Sequence, residues 1–341
     1  MSKCKQTTIK EVAQEAGVSI ATVSRVLNGQ SGVSKELAEQ VKEIVRKMNY
    51  QPNAIARALK NSESRSIGLI IPDIENPFFP ALVRGVEDAA QKNGYAVILC
   101  NTDGEPQQEE KYIKFLLSKQ VDGILFVGNL DFQEHSSWLS LLPVPVVLLD
   151  RRIEGAPYST VLIDNEMGAF LAVEHLIKQG RQQIAIIGGK PQSSTSRERV
   201  RGARRALALY GYNDQEEGYF DGYFTFDGGY QATMKLLAGR YNFDAVFAAN
   251  DMMAIGAIEC LVNHGRNVPH EVAVAGFDDI KMAEWYKPSL TTVRQPVYKM
   301  GQLAVKSMVQ QLTGVMAKPC DTVLKPELIV RKSSGRKGEL Q

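Results

Sequence analysis

The chain of 341 residues lacks any apolar run approaching the roughly 18 residues that a membrane span requires. Its first residues, MSKCKQTTIKEV, hold neither an apolar stretch nor a small-residue cleavage site, so they do not read as a secretory signal. The expected location is therefore cytoplasmic, with no membrane partner. Cysteine is scarce: Cys4, Cys100, Cys260 and Cys320 are far apart, match no CxxC spacing, and read as thiols of a reducing compartment. The four histidines, His135, His175, His264 and His270, show no metal-ligand spacing. No G-x-S-x-G elbow is present. Gly188-Gly189-Lys190 fails as a phosphate loop, because Pro191 stands where a magnesium-binding Ser or Thr belongs. Asp150 and Asp278 could form a glycosidase pair, yet each has an arginine or amide suited to holding it ionised. Hydrolysis needs one carboxyl with a raised pKa. The expectation is a protein that is not an enzyme and uses no cofactor.

What is present is an ordinary globular composition, 44% hydrophobic and 23% charged, with length for two or three domains. The net charge of +2 conceals an asymmetry. Residues 1–60 carry ten Lys/Arg against five Asp/Glu, while the rest carries 30 against 33. A small basic head on a near-neutral body suggests a polyanion partner for the head.

The head reads as short helices. Thr8 can cap IKEVAQEA, Gly17 breaks that helix, and Ser19 caps IATVSRVLN. Ser34 opens a third helix that runs to about Met48. The first pair has the form of a helix-turn-helix, with Val12, Ala13, Val18 and Val23 turned inward. The second helix then presents Ile20, Ala21, Thr22 and Arg25. Arg25 suits guanine O6 and N7, and Ile20 and Ala21 suit thymine methyls. Ser19, Thr22 and Asn28 suit phosphate contacts that set the register. A small helical bundle without a ligand is the alternative. Beyond it, a Pro-opened segment from Asn53 to Leu59 precedes a polar linker.

From Ser66 onward, buried-strand runs alternate with helical stretches: SIGLIIP, YAVILCN, VDGILFVG, VPVVLLD, TVLID, QIAIIGG, DAVFAAND and VAVAGFDD. About eight such strands argue for parallel α/β sheets covered on both faces, in two doubly wound lobes. In open sheets of this kind ligands sit outside the carboxyl ends of the strands. The residues there are Asn76, Phe78, Phe79, Asp150, Arg151, Arg199, Phe224, Asn250, Asp278 and Gln295. The charges of this set cancel, Asp150 and Asp278 against Arg151 and Arg199. A neutral polyol fits such forks of donors and acceptors with flat apolar walls, whereas an anion would call for surplus positive charge. The adjacent Phe78 and Phe79 would then clamp a sugar ring opposite Phe224, with Asn76 on a hydroxyl; simple core packing is the alternative.

The run TIKEVAQEAGVSIATVSRVLNGQSGVSKELAEQV, continuing to NYQPNAIARALK, resembles the head of the LacI/GalR family of bacterial transcription regulators, and the likeness covers the whole chain. Met48 departs from the leucine of many relatives. The resemblance implies a helix-turn-helix domain over 1–52 and a hinge helix and linker over 53–65. It also implies an effector-binding and dimerisation core over 66–341. Lobe one would take about 66–165 and 296–325, and lobe two about 166–295 and 326–341. In that family the segment matching Asn53–Leu59 folds on operator DNA, so Leu59 would wedge into a base step from the minor groove, with Arg57 and Lys60 as phosphate anchors. An amphipathic helix packed on the body is the alternative.

The body resembles type I periplasmic sugar-binding proteins, and the ten cleft positions carry the residue types of the site in ribose-binding proteins. NPFF, LDR, RER, AND, GFD and RQP match in order. Purine-responsive relatives and those answering to a phosphorylated carrier protein lack NPFF and LDR, so the likeness is nearest to the ribose-responsive members. It implies a homodimeric repressor, with a tetramer open, that binds operator DNA under control of a small neutral sugar, D-ribose first. Other pentoses, a purine, a phosphorylated carrier protein, or a role as a sugar transport component are the alternatives.

Overall fold

The computed structural model describes residues 7–27, 31–50, 64–128, 142–153, 157–212, 218–316 and 318–335. It divides into two units, Met1–Ser64 and Arg65–Gln341.

The first unit contains α1 (Ile9–Glu15), α2 (Ile20–Leu27) and α3 (Lys35–Lys47). A capping box starts α1: the Thr8 side chain accepts from the Glu11 amide, and the Glu11 carboxylate accepts from the Thr8 amide at 2.7 Å. Gly17, at φ +63°, makes the left-handed turn that ends it. Ser19 Oγ accepts from the Thr22 amide at 3.1 Å at the start of α2, and Ser34 caps α3. Val12, Ala13, Ala16, Val23, Val26, Val41 and Tyr50 form a shared core.

The second unit holds two six-stranded sheets. The first has the order β11-β5-β4-β3-β1-β2. Its strands are β1 (Ser66–Ile71), β2 (Ala96–Asn101), β3 (Gly123–Phe126), β4 (Val146–Leu149), β5 (Ser159–Ile163) and β11 (Asp321–Leu324). The second has the order β12-β10-β9-β8-β6-β7. It comprises β6 (Ile184–Gly188), β7 (Tyr219–Asp221), β8 (Ala245–Ala248), β9 (Ala273–Asp278), β10 (Thr291–Arg294) and β12 (Glu327–Ile329). All neighbours run parallel except β10 and β12, which are antiparallel. The expectation of about eight buried strands undercounts the sheets. Four strands fall outside the eight runs: β7, β11 and β12 are only three or four residues long and half-exposed, and β10, though buried over Thr291–Val293, reads TTVR, so none carries a continuous apolar run.

Helices cover the sheets: α4 (Phe78–Lys92), α5 (Pro106–Ser118), α6 (Asn165–Lys178), α7 (Ser194–Leu209), α8 (Phe226–Ala238), α9 (Asp251–Asn263), α10 (Lys281–Trp285) and α11 (Val297–Leu312). The chain passes between the sheets three times: from β5 through Asp164 into α6, from β10 through Gln295 into α11, and from β11 into β12. No helix among the described residues is long and apolar enough to cross a membrane.

On the first sheet α4 and α11 approach backbone to backbone. A Cβ on Gly85 would lie 2.2 Å from the Tyr298 carbonyl oxygen, and one on Gly301 would lie 2.6 Å from that of Leu82. Neither backbone can yield without separating the helices. Gly85→Val is therefore expected to destabilise the core by about 1–3 kcal/mol or more, read as a lower urea midpoint. An unchanged midpoint would refute the close approach.

Candidate functional site

On the head, α2 buries Val23 and Val26 and leaves Ile20, Ala21 and Arg25 exposed, with Thr22 half-buried. Arg25 makes no hydrogen bond or ion pair among the described residues, and Ile20 is 43% exposed. Ser19 and Thr22 bond each other, Oγ to Oγ1 at 2.9 Å, so their hydroxyls also serve the helix start. Asn28, Arg57, Leu59 and Lys60 lie outside the described residues.

In the core, a cavity of about 260 Å³ opens between the carboxyl ends of the two sheets. Nine of the ten anticipated residues line it: Asn76, Phe78, Phe79, Asp150, Arg151, Arg199, Phe224, Asn250 and Asp278. Gln295 is absent from the wall. It stands behind Asp278, to whose Oδ1 its Nε2 donates at 2.7 Å. The tenth residue therefore positions a wall group instead of forming the wall itself.

The lobe-one wall grows from the ends of β1 and β4. After β1, Asn76 Oδ1 accepts from the Phe78 amide at 3.1 Å as α4 begins, which leaves its Nδ2 as a donor. The Phe78 and Phe79 rings meet edge to face, with centroids 5.0 Å apart and planes at 87°. Both are buried in the lobe core and both line the cavity, so core packing does not keep these rings from the cavity wall. The expected flat clamp changes in one respect: perpendicular rings cannot both lie flat on one sugar. One offers a face and the other an edge. After β4, Asp150 has φ +61°, and its carbonyl accepts from Thr195 Oγ1 of the other lobe at 3.1 Å. Arg151 Nε lies 3.8 Å from Asp150 Oδ2. Burial pulls the Arg151 pKa down, while the Asp150 and Glu109 carboxylates oppose that pull.

The lobe-two wall is more tightly braced. Arg199, on α7, donates from Nε to Asn165 Oδ1 at 2.9 Å, and from Nη1 to the Ala249 carbonyl at 2.6 Å and Asp278 Oδ1 at 3.1 Å. Its guanidinium carbon sits 3.8 Å from the Phe277 ring centroid. These anchors leave Nη2 for the cavity. Phe224 follows Tyr223 through two left-handed residues, φ +55° and +66°. Its carbonyl accepts from Asn250 Nδ2 at 3.0 Å, and Asn250 Oδ1 caps α9 by accepting from the Met253 amide. A Cβ on Gly189 would fall 2.1 Å from the Phe224 ring, so only glycine lets that ring reach its seat.

Two expectations about charge need correction. Arg199 and Gln295 do not keep the Asp278 pKa in the usual carboxylate range. Burial raises its pKa most, and Asp150 adds to the rise, so the carboxyl is pushed up to about 7 against the pull of Arg199. Asp251, fully buried behind it, is also pushed well up by burial and by Asp278, despite accepting from Thr292 Oγ1 and the Ile280 amide. The cavity lining is also wider than the four cancelling charges. Asp73, Asp103 and Lys190 belong to it as well, giving four carboxylates against three cations. With a proton on Asp278 the wall returns to neutrality.

Thr195, Lys190, Tyr223 and Thr225 also line the cavity and were not anticipated. Thr195 had a readable signal: it lies one turn before Arg199 on the same helix, hence on the same face. The others sit on loops, where no periodicity points. Among the described residues no cluster of His, Cys, Asp and Glu could hold a metal ion. The cavity can grip an uncharged ligand through paired donors and acceptors against aromatic walls.

Because the pKa of Asp278 is higher folded than unfolded, the folded state binds more protons between about pH 4 and pH 7. Stability of the ligand-free core should fall as pH rises through that window. Asp278→Asn should flatten part of the slope in denaturant titrations at several pH values. An equal slope in both proteins would rule out this assignment.

Known proteins resemble this chain at both ends. The family model described as bacterial regulatory proteins, lacI family, matches residues 8–53, and a periplasmic binding protein-like domain matches residues 173–334. The ribose operon repressor of Halalkalibacterium halodurans is 39% identical over 335 residues, covering 96% of this chain and 97% of the relative. Catabolite control protein A of Priestia megaterium is 37% identical over 306 residues, covering 89% and 92%. Among solved structures, the lac repressor dimer bound to operator and the anti-inducer ONPF superposes with a TM-score of 0.90, at 29% identity over 97% of this chain and 100% of that one. A LacI family regulator from Enterococcus faecium with bound ribose gives a TM-score of 0.72, at 30% identity over 79% and 98%. With a helix-turn-helix head and two parallel α/β lobes, the chain belongs to the lacI family of bacterial regulatory proteins, which are DNA-binding transcriptional repressors and not enzymes.

Proposed function

We propose that the protein is a homodimeric repressor whose affinity for operator DNA is set by a neutral pentose, D-ribose first, held in the cleft. The observation that carries this reading is the convergence of nine side chains on one cavity: three phenyl rings, two arginines, two carboxyls and two amides. Asp150 and Asp278 accept from sugar hydroxyls. Arg151, Arg199, Asn76 and Asn250 donate to them, and the rings cover the C–H faces. The ribose-bound regulator and the ribose operon repressor among the similar proteins support ribose over a purine or a protein co-regulator.

On the head, the exposed side of α2 enters the major groove with Arg25 as base reader and Ile20 and Ala21 on methyl groups. Two heads read adjacent half-sites of a near-palindrome. The segment Asn53–Leu59 acts as the hinge, with Leu59 as minor-groove wedge between Arg57 and Lys60. The three crossings support the following boundaries. Lobe one takes about 66–165 and 296–325, lobe two takes about 166–295 and 326–341, and the head and hinge lie before them. Sugar bound between the lobes favours one lobe arrangement and so alters the spacing of the heads.

Calorimetry with ribose, other pentoses and purines tests the ligand class, and ribose should bind at one site per chain. Arg151→Ala should abolish ribose binding and the ribose response while operator binding persists. A persisting response would remove the pocket assignment. Arg25→Ala should cost about 1–3 kcal/mol of operator affinity and relax base preference, read by gel shift with altered operators. A uniform loss across all sequences would make Arg25 a phosphate contact.

A further inference from the structure

Asp279 does not line the cavity, yet both of its carboxylate oxygens are spoken for. Oδ2 accepts from Arg294 Nε at 2.6 Å and Oδ1 from Arg331 Nη2 at 2.7 Å, in a side chain only 8% exposed. It follows Asp278 in the chain, and both residues have left-handed backbone, φ +119° and +57°. Such a turn is held from outside, since two successive non-glycine residues with positive φ are costly. The Asp279 amide donates to Thr292 Oγ1, the Ile280 amide to Asp251, and Arg331 Nη1 to the Leu290 carbonyl.

Two partners of this dipeptide stand at the second crossing, and a third follows the strand that comes after the last one. Arg294 is the last residue of β10, and Gln295 is the crossing itself; they hold Asp279 and Asp278 respectively. Arg294 Nη1 also lies 3.5 Å from Glu327 Oε2, at the start of β12 just past the third crossing. Arg331 follows β12. The first crossing enters α6 at Asn165, whose Oδ1 takes Arg199 Nε, and Arg199 in turn holds Asp278. The second crossing is thus tied to these two adjacent residues directly, and the first and third are tied to them through one intervening arginine each, Arg199 and Arg294. One of these faces the ligand, and the other faces the connections.

We propose that Asp279 is a positioning residue that couples occupancy of the cleft to the inter-lobe connections, without itself touching ligand. A ligand hydroxyl on Asp278 moves a carboxylate already shared with Arg199 and Gln295. The rigid left-handed turn carries that displacement to Asp279, and through Arg294 and Arg331 to the second and third crossings. Removing the charge of Asp279 cuts this link while leaving each binding surface intact. The inference rests on the neutral-sugar reading of the cleft.

The test is Asp279→Asn in the full-length dimer. Operator affinity is measured with and without ribose, or with whichever neutral sugar of a pentose panel raises the wild-type melting temperature. Wild type should show a sugar-dependent change of at least about fivefold. In the variant that ratio should fall below about twofold, while sugar-free operator affinity and sugar affinity of the free protein stay within about threefold of wild type. By linkage, the ratio of sugar affinities for operator-bound and free protein should shrink equally. A purely structural role would lower both affinities and leave the ratio intact. Arg294→Gln, at a half-exposed side chain, supplies a second variant that folds without strain and should give a partial loss of coupling. A full ratio in both variants overturns the inference alone. A wild-type protein that binds no sugar of the panel overturns the reading of the cleft, and this inference with it.

Discussion

At several points on the cavity rim the chain turns through backbone that an L-residue resists. Three of the cleft residues, Asp150, Phe224 and Asp278, have positive φ. Each such residue costs on the order of 1–3 kcal/mol and persists only where its surroundings over-determine it. Here the surroundings do so by hydrogen bonds to the neighbouring carbonyl or amide. Thr195 holds the Asp150 carbonyl, Asn250 holds that of Phe224, and Asp251 with Thr292 holds the amides after Asp278. The cleft is therefore pre-formed by the residues beneath it, and its donors and acceptors are already aimed.

That bracing explains the electrostatics. Arg199 is almost fully buried, yet it donates to three partners and lies on an aromatic face, so several contacts oppose its desolvation. Asp278 receives two of the compensating bonds but shares its dry site with Asp150 and Asp251, and burial prevails. A ligand rich in hydroxyls supplies what this carboxyl lacks, since each hydroxyl can both donate and accept. A charged ligand would instead add a further unbalanced charge to a wall that is close to neutral.

Much of this was legible in the residues. Capping by Thr8, Ser19 and Ser34, the long apolar strands, and nine of the cleft residues all follow from patterns of a few neighbouring positions. The short edge strands β7, β11 and β12 were not legible, because a three- or four-residue half-exposed strand is specified by its pairing partner and not by its own composition. Gln295 was placed one layer too far forward, since position at a strand end does not tell which way a side chain points. The upward pull on the Asp278 pKa was not legible for a related reason: adjacent arginines are visible in a sequence, but dryness and the approach of Asp150 from the other lobe are not. Perpendicular rings at Phe78 and Phe79 likewise arise from packing around them.

The third crossing has a further consequence for biogenesis. β5 remains an uncovered edge until β11 pairs with it, and β10 waits in the same way for β12. Both late strands come from the last few dozen residues of the chain. During synthesis neither lobe can complete its sheet before almost the whole polypeptide has left the ribosome. The nascent chain thus carries the β5 edge open from about residue 163 until β11 emerges, and the β10 edge only between about residues 294 and 327, so chaperone protection of the β5 edge should matter more for this architecture than for one whose lobes are contiguous in sequence.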